Sequence, residues 1–232
     1  MLKNFILFLF FLFLIGCNKN NENYFPYKQG LTWTYSIDLF SSYTGKKSQK
    51  RLLITNIKTH KKKDGIEVVR LHSNGNYYTY WLDRYDKKLS RSSVILKTNE
   101  GLVEPVNKDV YPNVLFKKNK WITKEQLFLT KGHQPPVRNF RPETKIDMKY
   151  ILEKKIERFK HRGVTFNDCY HVIGYGTTSF IADDRSGPLK VDVKSEEWIC
   201  NGVGTVIEKR YEDTKASAFG KTSFVKELIQ IK

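Results

Sequence analysis

The side chains here with the most distinctive chemistry are three cysteines, at 17, 169 and 200, and five histidines, at 60, 72, 133, 161 and 171. The histidine spacings present no pair of imidazoles to one ion, and neither H-E-x-x-H nor a paired C-x-x-C occurs. No G-x-S-x-G elbow is present. Gly220-Lys221-Thr222 matches the end of a phosphate-binding loop, but the glycine that loop needs at 215 is Lys215. Residues 223–231 read as a strand, so no helix N-terminus would receive phosphate. Asp183-Asp184 reads as turn chemistry. No catalytic constellation is visible, and the expectation is a protein that is not an enzyme, with no cofactor and no metal.

Cys169 and Cys200 can be placed by arithmetic. Asp183 to Ser186 is a polar turn centred at 184.5, which is also the midpoint of 169 and 200. A symmetric hairpin keeps the sum of paired positions constant, so Cys169 falls opposite Cys200. If Ala182 and Gly187 form the first hydrogen-bonded pair, alternation makes 169–200 a non-hydrogen-bonded pair. Cα atoms there approach to about 4.5 Å, at the close end of the disulfide range. The same register puts Pro188 where no donor is required. In an oxidising compartment this predicts a disulfide, with two free buried thiols as the alternative.

Tyr77–Tyr85 carries rings on both faces. Tyr78, Tyr80 and Leu82 point one way, and Tyr77, Thr79 and Trp81 the other. Trp81 is expected to join Trp33, Tyr35 and Ile37 in the core, since its indole matches the Trp33 face. Tyr78, Tyr80 and Leu82 then line a cavity or lie under a cover made by the Pro-rich 103–143 segment.

The elements that must position these residues are strands. Leu31, Trp33, Tyr35, Ile37 and Leu39 alternate with polar residues, the period of a half-buried antiparallel strand. Turn signals recur at 44–46, 63–65, 74–76 and 99–101. Between them, 52–59, 66–73, 77–85 and 89–97 are rich in β-branched and aromatic residues. Residues 103–143 hold Pro105, Pro112, Pro135, Pro136 and Pro142 and read as an irregular insertion, with 125–129 a candidate brief helix. Residues 144–160 fit a long strand better than a helix, given their β context. Strands are expected again over 164–175, 189–200, 203–211 and 223–231, and Asn201-Gly202 predicts a two-residue type I′ hairpin. The fold class is all-β: a single curved antiparallel sheet or open half-barrel built from hairpins.

Net charge is +17, and 31 of the 41 basic residues are lysine. Nucleic-acid sites lean on arginine for bidentate contacts, so nucleic acid is not an expected partner. A loosely basic face toward a membrane and AT-rich codon usage both fit the lysine excess.

Leu14-Ile15-Gly16-Cys17 resembles the lipobox of bacterial lipoproteins. Lys3 supplies a positive start, and Phe5 to Ile15 is an apolar run too short for an ordinary span, which needs roughly 20 residues. The resemblance implies a signal peptide over 1–16, lipid on the Cys17 thiol, and an acyl chain such as palmitate on the new amino group. An uncleaved anchor or a free Cys17 is the alternative. Residues 17–23 become a lipidated tether, of which 18–23 span at most about 20 Å. Residues 24–232 are the β domain.

Other fragments resemble small exported β proteins and lipoproteins of Gram-negative bacteria. They are Tyr24-Phe25-Pro26 with Gly30, Trp33 and Tyr35; Gly163, Phe166, Cys169 and Val172; and Trp198 with Gly202-Val203-Gly204-Thr205-Val206, a closing G-V-G-x-V hairpin. This implies location and architecture. Asn18 after the lipidated Cys, in place of Asp, implies the outer membrane, facing the periplasm. Three functions are compatible with these features: a binding or accessory module for an apolar or lipid ligand, a structural subunit of an envelope protein complex, and, last, a hydrolase.

Overall fold

The structure is a computed structural model that describes residues 23–42, 45–85, 88–95, 103–104, 108–111, 119–127, 145–181, 187–214, 216 and 220–232. Cys17, the signal segment, residues 17–22 of the tether and the Asp183–Ser186 turn lie outside the described residues.

Among the described residues thirteen strands form one antiparallel sheet. They are β1 (Thr32–Ser41), β2 (Lys47–Lys61), β3 (Gly65–His72), β4 (Tyr77–Asp83), β5 (Leu89–Ile95), β6 (Val103–Glu104), β7 (Lys108–Tyr111), β8 (Lys120–Gln126), β9 (Lys145–His161), β10 (Val164–Ile181), β11 (Pro188–Cys200), β12 (Gly204–Thr214) and β13 (Lys221–Ile231). The order is β6-β5-β4-β3-β2-β1-β13-β12-β11-β10-β9-β8, with β7 also on β5. Two meanders of hairpins are thus joined where the first strand meets the last, Trp33 opposite Ile231. No helix occurs among the described residues. Residues 145–161 are a strand, as their β context predicts.

The sheet curls but stays open. A single ion pair demonstrates the curl. Arg210 on β12 bonds Glu125 on β8, four strands away. In a flat sheet that separation is about 19 Å, at roughly 4.8 Å per strand, beyond the reach of the two side chains. Bulges supply much of the bending. The register shifts at Thr34/Tyr35, Asn56/Lys58, Thr79/Tyr80, His171/Val172 and Trp198/Ile199, and each such shift sharpens local twist. At the ends, β7 comes alongside β8, yet no ladder joins them among the described residues.

Several expectations need correction. The 103–143 segment contains β6, β7 and β8, and Glu125 and Gln126 lie in a strand where a brief helix was expected. Strand pairing overrides the local helical signal there, as β8 pairs with β9 and sets Glu125 opposite Ile146. Asn201-Gly202 is not a two-residue type I′ turn. Gly202 and Gly204 have positive φ but Asn201 does not, so a three-residue loop, 201–203, links β11 to β12. The two-residue turn with both φ positive is Arg162-Gly163, at 48° and 78°, between His161 and Val164.

The inner face holds the core. Tyr150, Met148, Val172, Val191, Val193 and Ile199 form its largest cluster, with Tyr24 and Leu127. Glycines make room for the largest of these. A Cβ at Gly174 would stand 2.5 Å from the Tyr150 ring, and one at Gly176 would stand 2.7 Å from the Met148 sulfur.

Candidate functional site

The chain enters along the inner face as a strap. Asn23 accepts a hydrogen bond from the Gly202 N–H and donates its own N–H to the Asn201 side chain. Tyr24 packs at 5.0 Å on Tyr170, and Phe25 at 5.1 Å on Tyr80. The Pro26 carbonyl accepts from Asn56 Nδ2 and Arg70 Nη2, and the Tyr27 carbonyl from Thr59. These bonds satisfy carbonyls that would otherwise be buried unpaired. The Tyr24-Phe25-Pro26 opening is therefore the filling of one end of the curled sheet.

This strap decides where the predicted groove residues lie. Tyr80 and Leu82 pack with Tyr27 and Ile66 against the Phe25, Val68 and Leu89 cluster, so that end is filled. Tyr78 lies beyond it, 4.2 Å from the His72 ring. Trp81 does not join the Trp33 face. Alternation puts it on the opposite face of β4, over Gly65 and 5.6 Å from Lys62 Nζ. The ring that meets the Trp33 neighbourhood is Tyr80, through Arg70, whose guanidinium lies 4.6 Å from Trp33, 3.8 Å from Phe25 and 5.3 Å from Tyr80. Phe25 and Tyr27 of the strap pack over Tyr80 and Leu82, and most of the 103–143 segment expected as a cover lies outside the described residues.

The inner face also holds charges that no sequence motif announces. Arg210 is 4% exposed and Glu212 1%. Arg210 donates to Glu212 at 2.8 Å, to Glu125, and to the Gln126 carbonyl at 3.0 Å. Tyr150 donates to Glu125 at 2.9 Å. Burial, the Glu125 and Glu197 charges and the hydrogen bond to Glu125 push the Tyr150 hydroxyl well above its ordinary range, against the opposing pull of Arg210. Further round, Lys226 pairs with Glu208 beside Tyr35. Burial alone would lower the Lys226 ammonium, but Glu208 and Tyr35 reverse this and hold it above the ordinary lysine value. One signal was available: Glu208, Arg210 and Glu212 stand at period two on one face, with alternating sign.

Toward the other end of the strands the inner face is less full among the described residues. Ile37 and Leu39 are half-buried and belong to no packed cluster of described residues, while the half-buried Leu52 packs against the Trp33 and Tyr35 cluster. Lys226 stands opposite Ile37. His72, on the same face, is pushed down to about 3 by burial and by Lys226, Arg70 and Arg91.

On the outer face the predicted disulfide is present. Cys169 and Cys200 are register partners with Cα atoms 3.9 Å apart, and the pairing runs unbroken to Ile181 opposite Pro188. Beside it His171 stacks on Trp198 at 4.4 Å and bonds Glu153. Among the described residues no group of three or more His, Cys, Asp or Glu side chains could hold a metal ion.

No family model matches the sequence, and no curated protein matches it. Three solved structures are similar. A candidate lipoprotein from Parabacteroides distasonis shares 14% identity at a TM-score of 0.49, over 91% of this chain and 99% of that one. A candidate exported protein with a YmcC-like fold from Bacteroides fragilis shares 12% at 0.41, over 90% and 98%. A DUF1329 family protein from Desulfovibrio piger shares 11% at 0.32, over 88% and 85%. Likenesses of this size fix neither activity nor ligand.

Proposed function

We propose that this chain is an exported lipoprotein, lipidated at Cys17 and held at the outer membrane facing the periplasm, that binds an apolar or amphiphilic ligand on the inner face of its sheet. The observation that carries the binding role is the unequal filling of that face. Among the described residues Tyr24–Tyr27 fill one end, while Ile37 and Leu39 toward the other are half-buried and outside the packed clusters. A curved sheet with a partly filled apolar face is the geometry in which chain-like ligands are held. The lipid anchor rests on the signal and lipobox pattern. With Asn23 fixed to the β11–β12 loop, residues 18–23 keep that filled end within about 20 Å of the bilayer.

The anchor is tested by Cys17→Ser. Uncleaved, unlipidated precursor is expected. Unchanged processing and lipid-modified mass in the variant would refute it. The binding role is tested by mass spectrometry of lipid extracts from the purified mature protein, where a stoichiometric amphiphile is expected.

A second reading, a structural subunit of an envelope complex, is favoured by one outer-face row. Lys149, Tyr175, Lys194 and Tyr211 are consecutive register partners across β9–β12, with Tyr175 46% and Tyr211 42% exposed. Such a row of rings and cations suits a protein interface. Cross-linking from intact membranes, with a stoichiometric protein partner at that row and no bound amphiphile, would favour it.

A further inference from the structure

Arg91 on β5 and His72 on β3 flank Tyr78 on β4. The His72 ring is 4.2 Å from the Tyr78 ring, and the Arg91 guanidinium is 5.7 Å from it. Register puts all three on the inner face: Arg91 is opposite Tyr80, and Tyr78 is opposite Arg70, two residues before His72. Arg91 Nε and His72 Nε2 are both buried, and neither has a hydrogen-bond partner among the described residues. An unmet buried polar atom is costly, so native proteins rarely keep two together without a use. The other charged groups of the interior are met: Arg210 by Glu125 and Glu212, Lys226 by Glu208, and Arg70 by Asn56 and the Pro26 carbonyl.

The field at this place is positive. Arg70, Arg91 and Lys226 all act on His72, and the same three cations act on the Tyr80 hydroxyl. Among the residues whose side chains are described no carboxylate is paired with Arg91. Backbone register also brings Lys108 opposite Arg91, and Glu104 opposite Val94 on the far side of β5. An oxyanion entering here would meet two open donors, a ring, and a net positive surround, and it would be desolvated enough for those interactions to count.

We propose that Arg91 and His72 form an anion-binding site that takes the carboxylate or phosphate head of an amphiphile whose chain lies along Ile37 and Leu39. The inference rests on the ligand-binding reading above and narrows it: the ligand is acidic at one end. Arg91 supplies the charge-assisted contact, His72 a second donor from Nε2, and Tyr78 a wall between them. The shared chemistry is an oxyacid group, which a fatty acid, a phosphate-bearing lipid or free phosphate could each bring.

The test is native mass spectrometry of the mature protein in a non-ionic detergent, titrated separately with dodecanol, dodecanoate, dodecyl phosphate and inorganic phosphate. Dodecanoate and dodecyl phosphate should bind about tenfold more tightly than dodecanol, the scale of one charge-assisted hydrogen bond. Arg91→Gln should abolish that preference and leave dodecanol binding unchanged, while Arg91→Lys should keep most of it. Equal affinity for dodecanol and dodecanoate, or a preference that survives Arg91→Gln combined with His72→Gln, would overturn the anion site and leave the ligand-binding reading standing. Inorganic phosphate binding as tightly as dodecyl phosphate would overturn the amphiphile as occupant. Binding of none of the four would remove both readings.

Discussion

His72 stays neutral in acid where a free imidazole does not. Its folded value is about 3, set first by burial and then by Lys226, Arg70 and Arg91, against 6.5 in an unfolded chain. The value is depressed, so its contribution to stability is full above pH 6.5 and is lost as pH falls from 6.5 toward 3. Between those limits the unfolded chain takes up a proton that the folded one refuses, at a cost of at most about 1.4 kcal/mol per pH unit. Chemical denaturation at pH 6.5 and pH 4.5 should therefore show a larger drop for the unaltered protein than for His72→Gln. The difference should be about 2–3 kcal/mol. Equal drops would show that His72 titrates normally and that the positive field around it is wrong. Gly174 makes a steric argument at the same scale. The Tyr150 ring lies where its Cβ would be, so alanine there must displace a ring that also bonds Glu125.

At the scale of elements, β12 decides how the curled sheet holds together. Its Arg210 bridges to β8 across the interior, and its Glu212 is 1% exposed. Removing the guanidinium takes away the cation that this buried carboxylate bonds at 2.8 Å. Arg210→Met should cost about 3–5 kcal/mol in chemical denaturation. Replacing Arg210, Glu212 and Glu125 together by apolar residues should recover much of that loss. A cost under about 1 kcal/mol for Arg210→Met would show that water reaches the group freely. The β10–β11 hairpin gives a second check. Its disulfide spans a sequence separation of 31, which chain-entropy arithmetic values at about 3–4 kcal/mol. Cys169→Ser with Cys200→Ser should lower the stability by that amount, and free alkylation of both thiols in the unaltered protein would contradict the bond.

These elements also show what could be read in advance. The strands were legible because their apolar residues alternate, and the Cys169–Cys200 register because a symmetric hairpin fixes the sum of paired positions. The inner ion pairs were not. Arg210 and Glu125 are 85 residues apart, and no local pattern links them. A period-two reading also sends charged residues outward, whereas Glu208, Arg210 and Glu212 point in. Trp81 was misplaced because ring size was weighed above strand parity: the inner face of β4 belongs to Tyr78, Tyr80 and Leu82. The strap failed for a related reason. Tyr24-Phe25-Pro26 has no period, and only the folded sheet supplies the partners, Tyr170 and Tyr80, that make it core.

For the whole molecule, the two ends of the curled sheet are filled differently among the described residues. The strap and the β11–β12 loop fill the end from which the tether leaves. The half-buried end lies along the strands from it: Trp33 and Leu39 on β1 are six residues apart, about 20 Å at roughly 3.3 Å per residue. A lipidated Cys17 would hold the filled end toward the bilayer and leave the other accessible to the periplasm. The central claim is that a ligand occupies this second end. The most direct measurement is photo-cross-linking of the mature protein with a diazirine-bearing dodecanol, then peptide mapping. A neutral probe keeps this independent of the anion site. Adducts are predicted on Ile37, Leu39, Leu52 and Tyr78, reduced by Leu39→Glu. Adducts confined to outer-face residues such as Ile122, Tyr175, Ile181 and Tyr211, or none above background, would contradict the account.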